Sequence, residues 1–342
     1  MKSIKLFTAI MFVSLFTNAT VRTVNNAGGA QFGDLISAIT AATSGDTIYV
    51  CGSASTYSGA TTNKTNLVFI GAGYNPQKQN PLKSTITNAW ILGNGNAVIG
   101  FDLVGSIGFS NPSISNLKIS RCKVSSFNST NNTFTNCMFD NCIWTSLTLS
   151  SPFTSQTFNG LVFSNCLIYM TSSYGQNIFN GNTLSGSGVT IDHCAFIKDG
   201  AAINFFGGTP NATGFVFTNN IFINVTPATA GTSYQYTSNY SSATLSPTYG
   251  IGNITGTTWP FVTPQASVTG TFQYAWDFHL AAASPLIGAG TFGSEIGLYG
   301  GNVPFNGSGE APIPQIDILM LNGTQFTPGG SMGIQFQSTI GN

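Results

Sequence analysis

The chain has only two histidines, and one of them lies in its densest polar cluster, Asp192, His193, Lys198 and Asp199, within the stretch Ile191 to Gly200. An imidazole, an amine and carboxylates are the groups that carry protons in acid–base catalysis, so His193, Lys198 and Asp199 are the catalytic candidates. Asp192 and Lys198 alternate with the apolar Ile191 and Phe196, a pattern that predicts a solvated strand face. Splitting a glycosidic bond needs two carboxylates about 5 to 10 Å apart, and no paired carboxylate motif occurs. The six cysteines show no Cys-x-x-Cys and no Cys/His spacing suited to zinc. They read as buried free thiols, with disulfides as the alternative in an oxidising compartment, and no metal or cofactor is expected. His279, in Asp-Phe-His-Leu, reads as structural.

Aromatic residues offer a second kind of chemistry. Residues 226 to 253 interrupt the surrounding pattern and carry Tyr234, Tyr236, Tyr240 and Tyr249 among Ser, Thr and Gly. Long loops on a rigid frame commonly bind ligands. Flat rings beside hydroxyls and amides suit sugars, so Tyr234, Tyr236 and Tyr240, with Tyr169 and Tyr174, are the expected ligand-binding residues.

Lys2, Lys5, the apolar run Leu6 to Phe16 and the small Ala19 predict a secretory signal over residues 1–19 and a cell-surface or extracellular destination. That run is shorter than the roughly 20 residues of a membrane helix, and no later run is longer, so no membrane span is expected. Without Lys2 and Lys5, acidic residues slightly outnumber basic ones, which argues against a nucleic-acid partner. Only 6% of residues are charged while 42% are apolar, so a polar surface must come from Ser, Thr, Asn and Gly.

The elements that would position these groups are short. Phe32, Leu35, Ile36 and Ile39 predict one amphipathic helix ended by Gly45, followed by a strand over Thr47 to Val50. Beyond it lie β-rich runs separated by Gly, Asn and Ser. Aligning Cys122, Cys137, Cys166, Cys194 and Asn220 places an apolar residue three before each (Ile119, Phe134, Phe163, Ile191, Phe217) and two after each (Val124, Phe139, Ile168, Phe196, Phe222). Five before is apolar except at Asn132. The later steps suit one solenoid coil each; the step to Cys137 is too short, and Asn141-Cys142-Ile143-Trp144 offers another alignment that leaves the register open over 125–145.

The helix, the strand ending in Gly-Asp-Thr-Ile-Tyr-Val and the Asn-Cys ladder resemble the right-handed parallel β-helix superfamily that includes pectate lyases. Residues Asp277 to Gly290 and Ile296 to Gly300 are similar to the closing segment of its secreted bacterial members. The resemblance implies an all-β right-handed parallel β-helix over 20–301, capped by the helix. Superfamily lyases hold calcium with clustered Asp and use an Arg base, and its hydrolases carry paired Asp and Gly-His-Gly; Arg22 and Arg121, the only arginines, match neither. The expected function is therefore a non-catalytic scaffold, polysaccharide-binding or adhesin-like, with a lyase or glycoside hydrolase as the alternative. Residues 302–314 read as a Gly/Pro linker. Residues 315–342 read as a short β extension, with strands Ile316 to Leu321 and Met332 to Gln337 docking on the solenoid or another chain. The oligomeric state is not assigned.

Overall fold

The computed structural model describes residues 19–127, 132–145, 157–175, 177–179, 185–207, 213–227, 234–243, 245, 250–321 and 334–340. Residues 1–18 of the signal segment, Tyr249 and the predicted loop from Asn322 to Ser331 lie outside these residues. The chain is a parallel β-solenoid built on two long sheets, with a short third pairing of Ile203–Asn204 and Val225–Thr226. The first runs from Val21–Val24 and Thr47–Val50 through Lys118–Ser120, Thr133–Asp140, Thr157–Ser164, Ser185–Asp192 and Thr213–Thr218 to Tyr234–Thr237. The second runs from Thr85–Ile86 through Asp102–Phe109, Lys123–Phe127, Ile143–Trp144, Leu167–Met170, Ala195–Lys198 and Ile221–Ile223 to Ile254–Thr255. From Ala97–Ile99 onward each coil gives a strand to the first sheet, turns a tight corner, and gives a strand to the second.

The corner explains the repeating sequence. Its first residue takes a left-handed backbone: Gly100, Arg121, Asn141, Asn165, His193, Asn219 and Ser238 all have positive φ. Asparagine tolerates that conformation better than most residues, hence its recurrence. The next residue points inward and is small: Cys122, Cys142, Cys166, Cys194, Asn220 and Asn239, all fully buried. The amides of Cys142 and Cys166 donate to the sulfurs of Cys166 and Cys194, each at 3.4 Å, and Cys194 N donates to Asn220 Oδ1 at 2.8 Å. The alternative alignment is the real one. Cys142, not Cys137, occupies the corner column, because Asp140 pairs with Ser120 on one side and Ser164 on the other. Cys137 fills the apolar column instead, opposite Leu161, which removes the Asn132 exception. Aromatic residues then stack rung on rung, Phe139 on Phe163 at 4.9 Å and Phe217 on Tyr236 at 4.6 Å.

The helix spans Leu35–Ala41 between the first two strands, with Asp34 as N-cap accepting from Ser37 N. Leu35, Ala38 and Ile39 enter the core, whereas Ile36, placed on that face by its spacing, is 55% exposed. The helix gives way to extended backbone at Ala42, and Gly45 serves the following turn.

The second sheet is apolar on both faces. Its outward residues Ile143, Leu167, Ala195, Ile221 and Tyr240 align one per rung and are buried. A layer from residues 256–305 covers them, anchored by Phe261, Phe278, Leu286, Ile296, Leu298 and Phe305. The chain then runs back along the corner column as a strap. Asn219 bonds Thr291, Asn165 Nδ2 donates to the carbonyls of Leu298 and Gly300, Asn141 Oδ1 accepts from Asn306 N, and Arg121 Nη1 donates to Glu310 O. Residues 302–311, read from sequence as a linker, thus lie on the solenoid, with Phe305 and Ala311 buried. Beyond them Pro314–Leu321 pairs antiparallel with Ile334–Ile340 as a separate two-stranded sheet.

Candidate functional site

The covering layer leaves a cleft of about 290 Å³ against the second sheet. Its floor is Ile143 and Leu167 of that sheet, and Asn75, Gln77 and Gly307 line it too. The remaining wall comes from the segment Phe272 to His279, whose aromatic residues recur at every second position: Phe272, Tyr274, Trp276, Phe278. These rings are held from behind. Trp276 meets buried Tyr169 edge-on at 5.0 Å, and Tyr274 stacks on buried Tyr74 at 6.3 Å. Burial pushes the Tyr274 and Tyr299 hydroxyls up, so both stay neutral hydrogen-bonding groups.

Asp277 and His279 form the ionisable edge of the cleft. Asp277 Oδ1 accepts from the backbone of His279 at 2.9 Å and lies 2.6 Å from its Nδ1. Partial burial raises the Asp277 pKa, but these His279 contacts outweigh it and hold the carboxyl below its usual range. The imidazole stacks almost flat on Tyr299, with centroids 3.6 Å apart, which fixes its plane. Thr263 steadies the pair by accepting Asp277 N at 2.7 Å. One rung before Ile143, Lys123 and Lys83 flank buried Asp102 at 3.1 and 2.5 Å. Aromatic faces, the Asn75 and Gln77 amides and an ionised carboxylate in one concave place suit a polyhydroxylated ring.

The catalytic candidates do not converge. His193 and Lys198 are 4% and 2% exposed, so the expected solvated face is not formed; the outer layer and the strap cover it. His193 sits at a corner, its Nδ1 2.9 Å from Asp192 Oδ2 and its Nε2 3.3 Å from Ser294 Oγ. Lys198 lies at the far end of the next strand, on the order of 16 Å along the chain. Its ammonium donates to the carbonyls of Ser172 and Asp199, while Asp199 Oδ2 accepts Gly270 N.

The expected tyrosine surface is also corrected. In the strand Tyr234–Thr237 alternate residues turn inward, so Tyr234 and Tyr236 stack on Phe206 and Phe217 in the core. Tyr169 and Tyr240 lie beneath the outer layer, donating to the carbonyls of Gly270 and Gly256. Tyr174 is half-buried and donates to Asn177 O. From sequence, Asp277 and His279 read as part of a structural closing segment and no cleft residue reads as ligand-binding, although the alternation from Phe272 to Phe278 with Asp277 and His279 between and after the rings is the available signal. The chain matches no family model and no curated protein.

Proposed function

We propose that the protein is a secreted parallel β-helix of the pectate-lyase-like kind that holds polysaccharide in the cleft between its second sheet and outer layer. It acts as an adhesin-like component at the cell surface and leaves the glycosidic bonds of its ligand intact. The observation that carries this reading is the concave wall of Phe272, Tyr274 and Trp276 facing the Asn75 and Gln77 amides. Export follows from the basic and apolar pattern of residues 1–19. No helix among the described residues is long and apolar enough to cross a membrane.

Affinity electrophoresis through gels containing acidic or neutral polysaccharides tests the reading. Retardation by at least one glycan is expected, weakened roughly 2- to 10-fold in Tyr274→Ala and reduced in Gln77→Ala. Equal retardation of folded wild type and both variants would overturn it. The Asp277–His279 pair favours a second reading, acid–base cleavage of the glycan. Reducing ends or unsaturated products that disappear in His279→Ala would establish that reading instead.

A further inference from the structure

We propose that Ser294, His193 and Asp192 form a nucleophilic triad, separate from the cleft, that hydrolyses esters of small acyl groups. Ser294 Oγ lies 3.3 Å from His193 Nε2, and on the far side of the ring Nδ1 lies 2.9 Å from Asp192 Oδ2, a contact whose angle falls short of a hydrogen bond and that a small rotation of the ring would align. A triad is recognised by such geometry and not by order in the chain. The carboxylate is oriented in turn. Asp192 Oδ1 accepts Thr218 Oγ1 at 2.6 Å and Asn219 Nδ2 at 3.1 Å, which leaves Oδ2 as the oxygen nearest the unpartnered Nδ1.

In the corner column, which also carries Gly100, Arg121 and Ser238, His193 stands between two asparagine coils. Asn141, Asn165 and Asn219 occupy the equivalent place in neighbouring coils and use their amides to hold the strap. At 193 the column carries a histidine in the same left-handed conformation, φ 51°, for which asparagine is better suited. Strain of this kind concentrates at functional sites. The serine itself is extended, φ −69° and ψ 166°, at the end of a tight turn. It follows Phe292 and Gly293, at φ 57° and 77°, in a turn closed by Gly290 N donating to Ser294 O at 2.8 Å. Thr291 of that turn is bonded to Asn219, so the rung that orients Asp192 also fixes the serine loop.

The chemistry balances with water as the only co-reactant. Ser294 Oγ, whose hydroxyl has both Thr291 O (3.0 Å) and His193 Nε2 as acceptors, attacks the acyl carbon as its proton passes to Nε2. Asp192 stabilises the imidazolium. The oxyanion is placed to meet the N–H of Glu295, the residue after the nucleophile, which makes no hydrogen bond among the described residues. The carbon–oxygen bond of the ester breaks, the alcohol leaves with the proton from His193, and water then releases the acid and restores the serine. Gly300 runs across the imidazole so closely that a methyl there would stand 2.4 Å from Cδ2 and 2.7 Å from Nε2. That approach restricts the acyl group to a small one, while the fully exposed Phe292 ring offers an apolar contact beside it.

A fluorophosphonate probe followed by peptide mass mapping, with p-nitrophenyl acetate as substrate, tests the triad. The wild type is expected to gain one adduct at Ser294, and Ser294→Ala to lose both adduct and turnover, the latter by roughly 100-fold or more, while melting as wild type does. Asp192→Asn should slow labelling, and Gln77→Ala in the cleft should leave it unchanged, which separates this site from glycan binding. An unlabelled Ser294 in the folded protein, or equal acetate release by Ser294→Ala, would overturn the assignment.

Discussion

Asp46 joins the first two coils through three hydrogen bonds: Oδ1 accepts Thr20 N, and Oδ2 accepts Thr43 N and Arg22 Nε, all at 2.8 to 2.9 Å. Burial alone would raise its pKa, but these donors outweigh burial and bring it from near 3.8 to about 2. A carboxyl depressed on folding contributes stability above its unfolded pKa and loses that contribution as pH falls through the folded value. The melting temperatures of wild type and Asp46→Asn should therefore differ at pH 6 and converge between about pH 4 and pH 2; a constant gap would refute this role. Phe163 is the corresponding core residue, 5% exposed and stacked on Phe139. Phe163→Ala should destabilise by about 3–5 kcal/mol in urea unfolding. Phe163→Asp, which would put an unpaired charge in the stack, should abolish cooperative melting.

Among the elements, the corner decides most. Asn165→Ala removes two hydrogen bonds to the strap and places a residue poorly suited to positive φ, so a loss of about 1–3 kcal/mol is expected. Amide exchange should quicken around Leu298 to Gly300 more than in the rungs of the first sheet. The corner column was legible because a left-handed residue followed by a small buried one leaves a strict local pattern. Its register near 125–145 was not, since Asn136-Cys137 and Asn141-Cys142 both pair a left-handed asparagine with a buried cysteine. Only the pairing of Asp140 with Ser120 and Ser164 tells them apart. The buried His193 escaped for a related reason: alternation along its own strand says nothing of a strap arriving from a hundred residues away.

For the whole molecule, the solenoid was readable from its repeats, but the outer layer was not. Runs such as Cys-Leu-Ile-Tyr-Met and Cys-Ala-Phe-Ile-Lys show burial on both faces, yet continuous apolarity does not say what provides the second cover. The cleft was invisible for the same reason, as it exists only where that cover meets the sheet. A chain ended after Thr255 should expose the face of Ile143, Leu167, Ala195 and Ile221. It should bind a hydrophobic dye and associate where the full chain does not; a monomeric, dye-silent product would show the cover to be dispensable.

The strap also sets how the molecule bears load. It carries the chain from Asn219, near one end of the axis, back past Asn141 to Ser308, whose carbonyl accepts Asn75 N toward the other end, and on to Glu310 at Arg121. Residues 21 and 313 thus lie toward the same end. Tension applied between them would not stretch the rungs, which would have to break together. It would peel the strap, freeing Arg121, then Asn141, then Asn165, one contact at a time, while the coils beneath stay closed. Held by such a pair of tethers, the body projects its narrow last coils outward, and the strap yields before the frame does.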